Sequence, residues 1–245
     1  LLHHPGSLEI LDFAEGKIKL VSVYAKPSGI LVGRQIKELK NDLPDYETRI
    51  PAIYRNEELI IPSGDTTILD GDEVFFIADE KHIEDVTKEL QKLENKYRNV
   101  YIAGAGNIGR SLASKINDEF NIKLIEKDVE TSELASEKLD NVLILNADAA
   151  DQEFLGSEAI QDCDAFIAVT QDDETNVLCS LMAKKLGTKK SITIINKEAY
   201  FDLVGKNELD IIISPVQITV SYILKYIRRG SAVSYTHLRA HETKA

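Results

Sequence analysis

The residues of this chain best suited to chemistry are three glycines in a turn. Gly104, Gly106 and Gly109 follow the short apolar run at 99–103. Where a strand turns into a helix, the first such glycine permits the tight turn, the second lets backbone approach a pyrophosphate, and the third lets the helix lie close to the strand. The helix N-terminus then presents N–H groups and the positive end of its dipole to an anion. The spacing predicts a dinucleotide-binding turn whose other members are Ala105, Asn107 and Ile108.

The sequence that follows the glycines supplies the context that such a motif requires. Ile108, Leu112 and Ile116 recur at every fourth residue, which predicts a helix with this face against a sheet. A second strand is predicted over Asn121–Ile125 and leads to Glu126. An acid about 20 residues beyond the glycines can accept hydrogen bonds from the ribose hydroxyls of an adenosine. Strand, helix and acid together favour this interpretation over a glycine-rich turn that binds nothing.

Strands and helical patterns alternate after residue 98, which predicts a doubly wound parallel sheet of the Rossmann type. The predicted strands are Asn99–Ala103, Asn121–Ile125, Val142–Leu145, Ala165–Val169, Ser191–Ile195 and Asp210–Ile213. Ligands of such sheets lie beyond the carboxyl ends of the strands, where the strand order reverses. The candidate cofactor contacts that follow these strands are Glu126, Asp148, Thr170 and Gln171. Asp148 is equally compatible with a turn, and Asp172 and Asp173 are interpreted as caps of the next helix.

A small α+β domain is predicted before the glycine turn, because the apolar period over residues 17–80 is mostly two. Its strands are Lys19–Tyr24, Ala52–Tyr54, Glu58–Ile61 and Glu73–Ala78, with a helical pattern at Val32, Ile36, Leu39 and Leu43. A module of about 65 residues is too small to be expected to hold a catalytic cleft of its own. Lys81–Lys96 has apolar residues at spacings of three and four, which predicts an amphipathic linker helix and a domain boundary.

The end of the chain carries an apolar helix face and then loses its pattern. From Pro215 a helix is predicted whose apolar stripe, Val216, Val220, Ile223, Leu224 and Ile227, leads to Arg228-Arg229-Gly230. Since the sheet is already complete, we expect a neighbouring subunit or a following domain to cover this stripe. Residues 233–245 have neither strand nor helix pattern and are interpreted as a non-native tail.

Composition excludes several classes of function. A net charge of −12 argues against a nucleic-acid partner, because phosphate neutralisation needs clustered Lys and Arg. No apolar stretch approaches the roughly 20 residues of a membrane span and no signal peptide is recognisable, which favours a cytosolic or peripheral protein. Cys163 and Cys179 lack CxxC spacing and are expected to be buried, reduced thiols. Neither the His3–His4 pair nor His237 with His241 suits a metal site.

The residues that would turn over a bound nucleotide are missing. A dehydrogenase needs an acid–base group that faces the nicotinamide. His82 falls in the predicted linker, and no Tyr-x-x-x-Lys or GxxxxGK[ST] motif follows the fingerprint. The sequence therefore predicts a bound nucleotide and no enzyme. The alternatives are a truncated NAD-dependent oxidoreductase and an assembly domain with a degenerate pocket.

Four groups of residues form a combination typical of one known family. They are VYIAGAGNIG with Glu126-Lys127-Asp128, Ala168-Val169-Thr170 with Asp173-Glu174-Thr175-Asn176, Ile195-Asn196 with Tyr200–Val204, and Ile213-Ser214-Pro215 with Ile227-Arg228-Arg229-Gly230. Leu31-Val32-Gly33-Arg34 and residues 61–76 look like the small C-terminal subdomain of that family. Over residues 1–232 the chain resembles the Trk-type regulators of potassium uptake, cytoplasmic proteins built from repeated regulator-of-potassium-conductance (RCK) domains.

The resemblance implies a function. The chain would bind NAD(H), with ATP or ADP as alternative ligands, and would gate a membrane potassium-translocating subunit as a homo-oligomer at the inner face of the plasma membrane. The carried-over cofactor positions are Gly104, Ala105, Gly106, Asn107 and Ile108 at the turn, Glu126 at the ribose, and Thr170 with Gln171 at the fourth strand. Ile194 stands where the family often has an arginine, so a phosphate partner is missing. Ala147 precedes Asp148 where the family often has a glycine.

The same resemblance divides the chain. Residues 1–16 would be the tail of a preceding nucleotide-binding domain, 17–80 a small C-terminal-type RCK domain, 81–97 a linker helix and 98–232 a Rossmann-like nucleotide-binding domain.

Overall fold

The computed structural model describes residues 2, 7–13, 18–27, 30–39, 48–56, 58–79, 82, 97–204 and 208–227. Residues 97–219 form one compact unit, and residues 1–96 with 220–245 form the other. The predictions for His3–His4, Leu43, most of the linker helix, Arg228-Arg229-Gly230 and the tail at 233–245 lie outside the described residues.

The smaller unit contains an antiparallel five-stranded sheet in the order β1-β2-β5-β3-β4. Its elements are β1 Ser7–Phe13, β2 Ile18–Tyr24, helix α1 Ile36–Leu39, β3 Arg49–Arg55, β4 Glu58–Ile60 and β5 Glu73–Asp79. Apolar side chains that alternate along β2, β3 and β5 form its core, including Val21, Val23, Ile53, Val74 and Phe76. All four predicted strands are therefore present.

Strand β1 was not predicted from the sequence. It pairs with β2, in a stretch that the sequence analysis assigned to the tail of a preceding domain. The adjacent Ile10 and Leu11 and a register shift between Ser7 and Glu9 interrupt the period of two. The strand is defined by its antiparallel neighbour rather than by its own pattern.

The larger unit is a parallel six-stranded sheet in the order β11-β10-β9-β6-β7-β8. Its strands are β6 Asn99–Ala103, β7 Asn121–Glu126, β8 Val142–Asn146, β9 Ala165–Ala168, β10 Lys190–Ile194 and β11 Ile211–Ile213. Its helices are α2 Asn107–Ile116, α3 Val129–Lys138, α4 Gln152–Ser157, α5 Asp173–Lys185 and α6 Ala199–Leu203. Helix α7, Pro215–Ile227, begins in this unit and continues past residue 219 into the other. The predicted doubly wound sheet is confirmed. Its strand order reverses between β6 and β9, which is where ligands of such sheets bind.

The face of α2 that packs on the sheet differs from the predicted one. Its buried residues are Gly109 and Ala113, whereas Ile108 is 50% exposed. A Cβ at Gly109 would overlap the carbonyl oxygen of Gly104, so the helix lies directly on the turn. The close approach requires the helix face with small residues to lie against the sheet. The prediction that Ile108 faces the sheet is therefore wrong.

Four residues of the predicted α7 stripe are exposed. Val216, Val220, Ile223 and Leu224 have exposed fractions between 39% and 58%. Among the residues that the structure describes, no helix is long and apolar enough to cross a membrane.

Candidate functional site

The turn after β6 meets the loop after β9 at the point where the strand order reverses. Gly104 has a φ of +103°, a conformation that favours glycine. A Cβ on Gly104 would lie 2.9 Å from both the Cα and the N of Thr170. Glycine is therefore required at this position for two reasons: the positive φ, and the close contact between the two loops.

The start of α2 differs from the starts of the next three helices. Asp128, Asp151 and Asp172 cap α3, α4 and α5 by accepting backbone N–H groups. Gly106 caps α2 without a side-chain hydrogen bond, and the first turn contains no acid. A Cβ on Gly106 would meet nothing within 4 Å. This N-terminus is open to an anion, which its N–H groups and dipole favour.

Glu126, the predicted ribose contact, lies beside the same turn. Its Oε2 accepts the N–H of Ala105 at 2.8 Å, and its Oε1 accepts the N–H of Asp128 at 3.0 Å. These bonds fix a half-buried carboxylate at the end of β7, next to the open helix start. A carboxylate in this place suits ribose hydroxyls.

The other acid that was predicted as a contact forms a turn. Asp148 is exposed, and its Oδ1 accepts the N–H of Ala150 at 2.8 Å. Of the two interpretations left open for Asp148, the structure therefore contains the turn, and a ribose contact stays a prediction.

Thr170, which is half-buried, is fixed by a side chain that was not predicted as a contact. Asn176 is fully buried, and its Oδ1 accepts the N–H of Thr170 at 2.8 Å and the hydroxyl at 2.7 Å. Its Nδ2 donates to the carbonyls of Thr170 and Ile194, both at 3.1 Å. Asn176 thus connects the loops after β9 and β10, while Gln171 is exposed.

Asp173 has a different role from the predicted cap. Asp172 caps α5 through the N–H of Thr175, as expected. Asp173 is buried and accepts the backbone N–H groups of Asn196 and Lys197, at 3.0 and 2.9 Å. Burial would raise the pKa of Asp173, but these N–H donors outweigh it and lower the pKa from its ordinary value. The sequence signal was the run of acids that follows β9, which does not reveal which acid turns inward.

Arg110 is a further residue at the turn that the sequence analysis missed. From the first turns of α2 its guanidinium donates to the carbonyl oxygen of Ala105 and, at 3.1 Å, to Oδ1 of Asn107. Long helical side chains lean toward the helix N-terminus, which explains this direction. A basic residue directly after the third glycine was the available signal.

The thiols take no part in this arrangement. Cys163 and Cys179 are free and fully buried, as predicted. Burial raises the pKa of each thiol to about 12. Among the described residues, no cluster of His, Cys, Asp and Glu is suited to a metal ion.

The fold and this turn together define a Rossmann-type domain that follows a small antiparallel domain in the chain. Residues 100–215 match the TrkA-N domain and residues 20–91 match the TrkA-C domain. The chain belongs to the TrkA family of potassium uptake proteins.

Relatives in this family match nearly the whole sequence of the chain. The Trk system potassium uptake protein TrkA of Vibrio alginolyticus is 43% identical over 245 residues, which are 100% of this chain and 54% of the relative. TrkA of Halomonas elongata gives the same identity and coverage, and TrkA of Haemophilus influenzae is 37% identical over 98% of this chain and 52% of its own length. The chain thus spans about half the length of the curated relatives it matches.

Solved structures agree on the fold. The GsuK RCK domain has a TM-score of 0.60 at 16% identity and covers 91% of this chain and 49% of that chain. The GsuK channel bound to NAD has a TM-score of 0.61 at 16% identity, over 92% of this chain and 41% of that chain. At this identity the likeness shows the fold alone.

Proposed function

We propose that this protein binds NAD(H), or alternatively ATP or ADP, at the glycine turn and acts as a regulatory part of a potassium uptake system. The observation that carries the proposal is the start of α2, where the N-cap residue Gly106 makes no side-chain hydrogen bond and has open surroundings, with the Glu126 carboxylate beside it. A diphosphate suits the helix start and an adenosine ribose suits the carboxylate. The solved channel described as bound to NAD has the same fold, which supports this choice of ligand.

We further propose that the protein works in the cytoplasm, peripheral to the inner face of the plasma membrane, where it gates a membrane potassium-translocating subunit. The names of the relatives as potassium uptake proteins support this partner. The solved channel with the same fold supports a role beside an ion pathway.

Calorimetric titration of the chain with NADH, NAD, ATP and ADP tests the ligand. We expect saturable binding of at least one of them with a stoichiometry near one per chain. Absence of heat with all four at millimolar concentration would contradict the proposal. The order of the measured affinities identifies the natural ligand without any assumption about the membrane partner.

A second measurement tests the oxidoreductase alternative. The described residues include one histidine, His82, which lies in the unit that contains the antiparallel sheet. Both thiols are buried. A hydrogen bond to Glu174 raises the pKa of Tyr200 to about 12. Because no proton donor of suitable pKa stands at the turn among these groups, we expect no NADH oxidation with small carbonyl compounds. Turnover that tracks the purified protein and disappears in Glu126→Ala would support a dehydrogenase.

A further inference from the structure

The guanidinium of Arg110 is held at the rim of the open space above the glycine turn. Its two acceptors, the carbonyl oxygen of Ala105 and Oδ1 of Asn107, belong to the residues on either side of Gly106. A Cβ on Gly106 would meet no atom within 4 Å outside its two chain neighbours, so the side chain of Arg110 leaves this position open. A positive charge therefore stands next to the one helix start, among α2 to α5, that has no acidic cap.

The rest of this edge of the sheet is acidic. Seven carboxylates lie at the ends of β7, β8 and β9 or in the helix starts that follow: Glu126, Asp128, Asp148, Asp151, Asp172, Asp173 and Glu174. A diphosphate at the turn meets their combined repulsion, which is stronger near a protein surface than in bulk water. Two exposed lysines also follow these strands, Lys127 after β7 and Lys197 after β10, and Nζ of Lys197 lies 3.8 Å from Oε1 of Glu174. Strand β10 itself ends at the buried Ile194, whose carbonyl is bound by Asn176. A cation at the turn itself offsets this repulsion where the ligand binds.

We infer that Arg110 is a phosphate-binding residue of this site and supplies the cation for the diphosphate of the bound nucleotide. A guanidinium has more N–H donors than the contacts to Ala105 and Asn107 use, and its planar fork suits phosphate oxygens. Those contacts also orient the side chain before the ligand arrives, which reduces the conformational entropy lost on binding. The inference rests on the proposed function, since it assigns one contact within the same nucleotide site.

Binding of ADP and of adenosine to the full chain separates a phosphate contact from a structural role. We expect Arg110→Gln to weaken ADP binding at least about tenfold, because a charge-assisted hydrogen bond to phosphate is lost. Adenosine, measured by competition, should bind the variant and the wild type equally. Lys115→Gln is the matched control: it removes the same charge from the last turn of α2 and should leave both ligands unaffected.

Salt dependence gives a second readout. Added NaCl should weaken ADP binding more steeply in the wild type than in Arg110→Gln, because screening acts on the charge that the variant lacks. Equal losses for ADP and adenosine would assign Arg110 a structural role and overturn the inference. So would ADP affinity that is the same in Arg110→Gln and wild type, a result that leaves the proposed function intact. A wild type that binds neither ligand overturns the proposed function and this inference together.

Discussion

The hydrogen bonds of the buried Asn176 require an amide side chain at this position. Its amide accepts two hydrogen bonds from Thr170 and donates two, to Thr170 and to Ile194. A side chain at this position must accept and donate at the same time. A carboxylate of nearly the same shape accepts but does not donate.

Asn176→Asp should therefore lower the free energy of unfolding by about 3 kcal/mol or more, since it buries a charge against two carbonyl oxygens. Urea denaturation at neutral pH measures the change. Gln171→Glu makes the same chemical change on an exposed side chain of the neighbouring loop, and its effect should stay under about 0.5 kcal/mol. Equal stabilities of the two variants would show that the hydrogen bonds of Asn176 are not needed.

Gly106→Val should abolish nucleotide binding and leave the fold intact. The backbone of Gly106 has a φ of −65° and open surroundings, so valine fits the protein but fills the space that a pyrophosphate would occupy. Calorimetry and the melting temperature of the same sample measure the two effects. Unchanged affinity with an unchanged melting temperature would contradict the interpretation of the glycine turn.

Two other glycines provide controls for that variant. Gly156 in α4 also has nothing within 4 Å of an added Cβ, so Gly156→Val should leave nucleotide binding unaffected. Gly109→Ala should lower the melting temperature, because its Cβ overlaps the carbonyl oxygen of Gly104.

At the scale of helices and strands, the elements that the sequence predicted correctly are those that the local pattern of apolar residues determines. The bounds of β6 agree at both ends because a continuous apolar run stops at the glycine turn. Strand β1 was missed because its antiparallel partner, rather than its own period, defines it. The inward face of α2 was predicted wrongly because the absence of a side chain at Gly109 determines the packing.

The candidate site divides in the same way. Glu126 was predicted as a ribose contact from its distance along the chain to the glycines; the structure shows its carboxylate at Ala105, and the ribose contact stays a prediction. The roles of Asn176, Asp173 and Arg110 depend on which loops meet in space, so composition and spacing did not reveal them.

The packing of α5 and of the start of β9 makes a prediction about thiol reactivity. Cys179 lies on the buried face of α5, and Cys163 lies two residues before β9. With both pKa values raised to about 12, the thiolate fraction at pH 8 is very small. We expect no reaction of the native protein with an aromatic disulfide reagent, and reaction of both thiols in guanidinium chloride. Fast labelling of the native chain would show that α5 opens readily.

At the scale of the whole molecule, the exposed stripe of α7 is the feature that calls for a partner. Val220, Ile223 and Leu224 are each at least 39% exposed. Full burial of such side chains is worth about 1.5–3 kcal/mol each. The prediction that a neighbouring subunit or a following domain covers this stripe therefore stands, and the first alternative is testable with this chain.

Ile223→Asp or Leu224→Asp should lower the oligomeric mass in light scattering, because a charge enters the apolar contact. Nucleotide binding per chain should survive, since α7 begins beyond the last strand and lies outside the glycine turn. Gln217→Asp is the control, a polar and exposed position on the same helix. A wild type that is monomeric up to tens of micromolar would rule out self-association through this stripe.

The hydrogen bonds of α5 have a mechanical consequence. Asn176 and Asp173 fasten the loops after β9 and β10 to one helix, so that neither loop is displaced without breaking several buried bonds. The loops after β9 and β10 are therefore expected to move together with α5 as one rigid body. The glycine turn is instead bound through Ala105 to Glu126 at the end of β7. It touches the loop after β9 where Gly104 meets Thr170. Any displacement of the turn must therefore act against the Glu126 hydrogen bond and the Gly104–Thr170 contact before it reaches the loops that α5 holds.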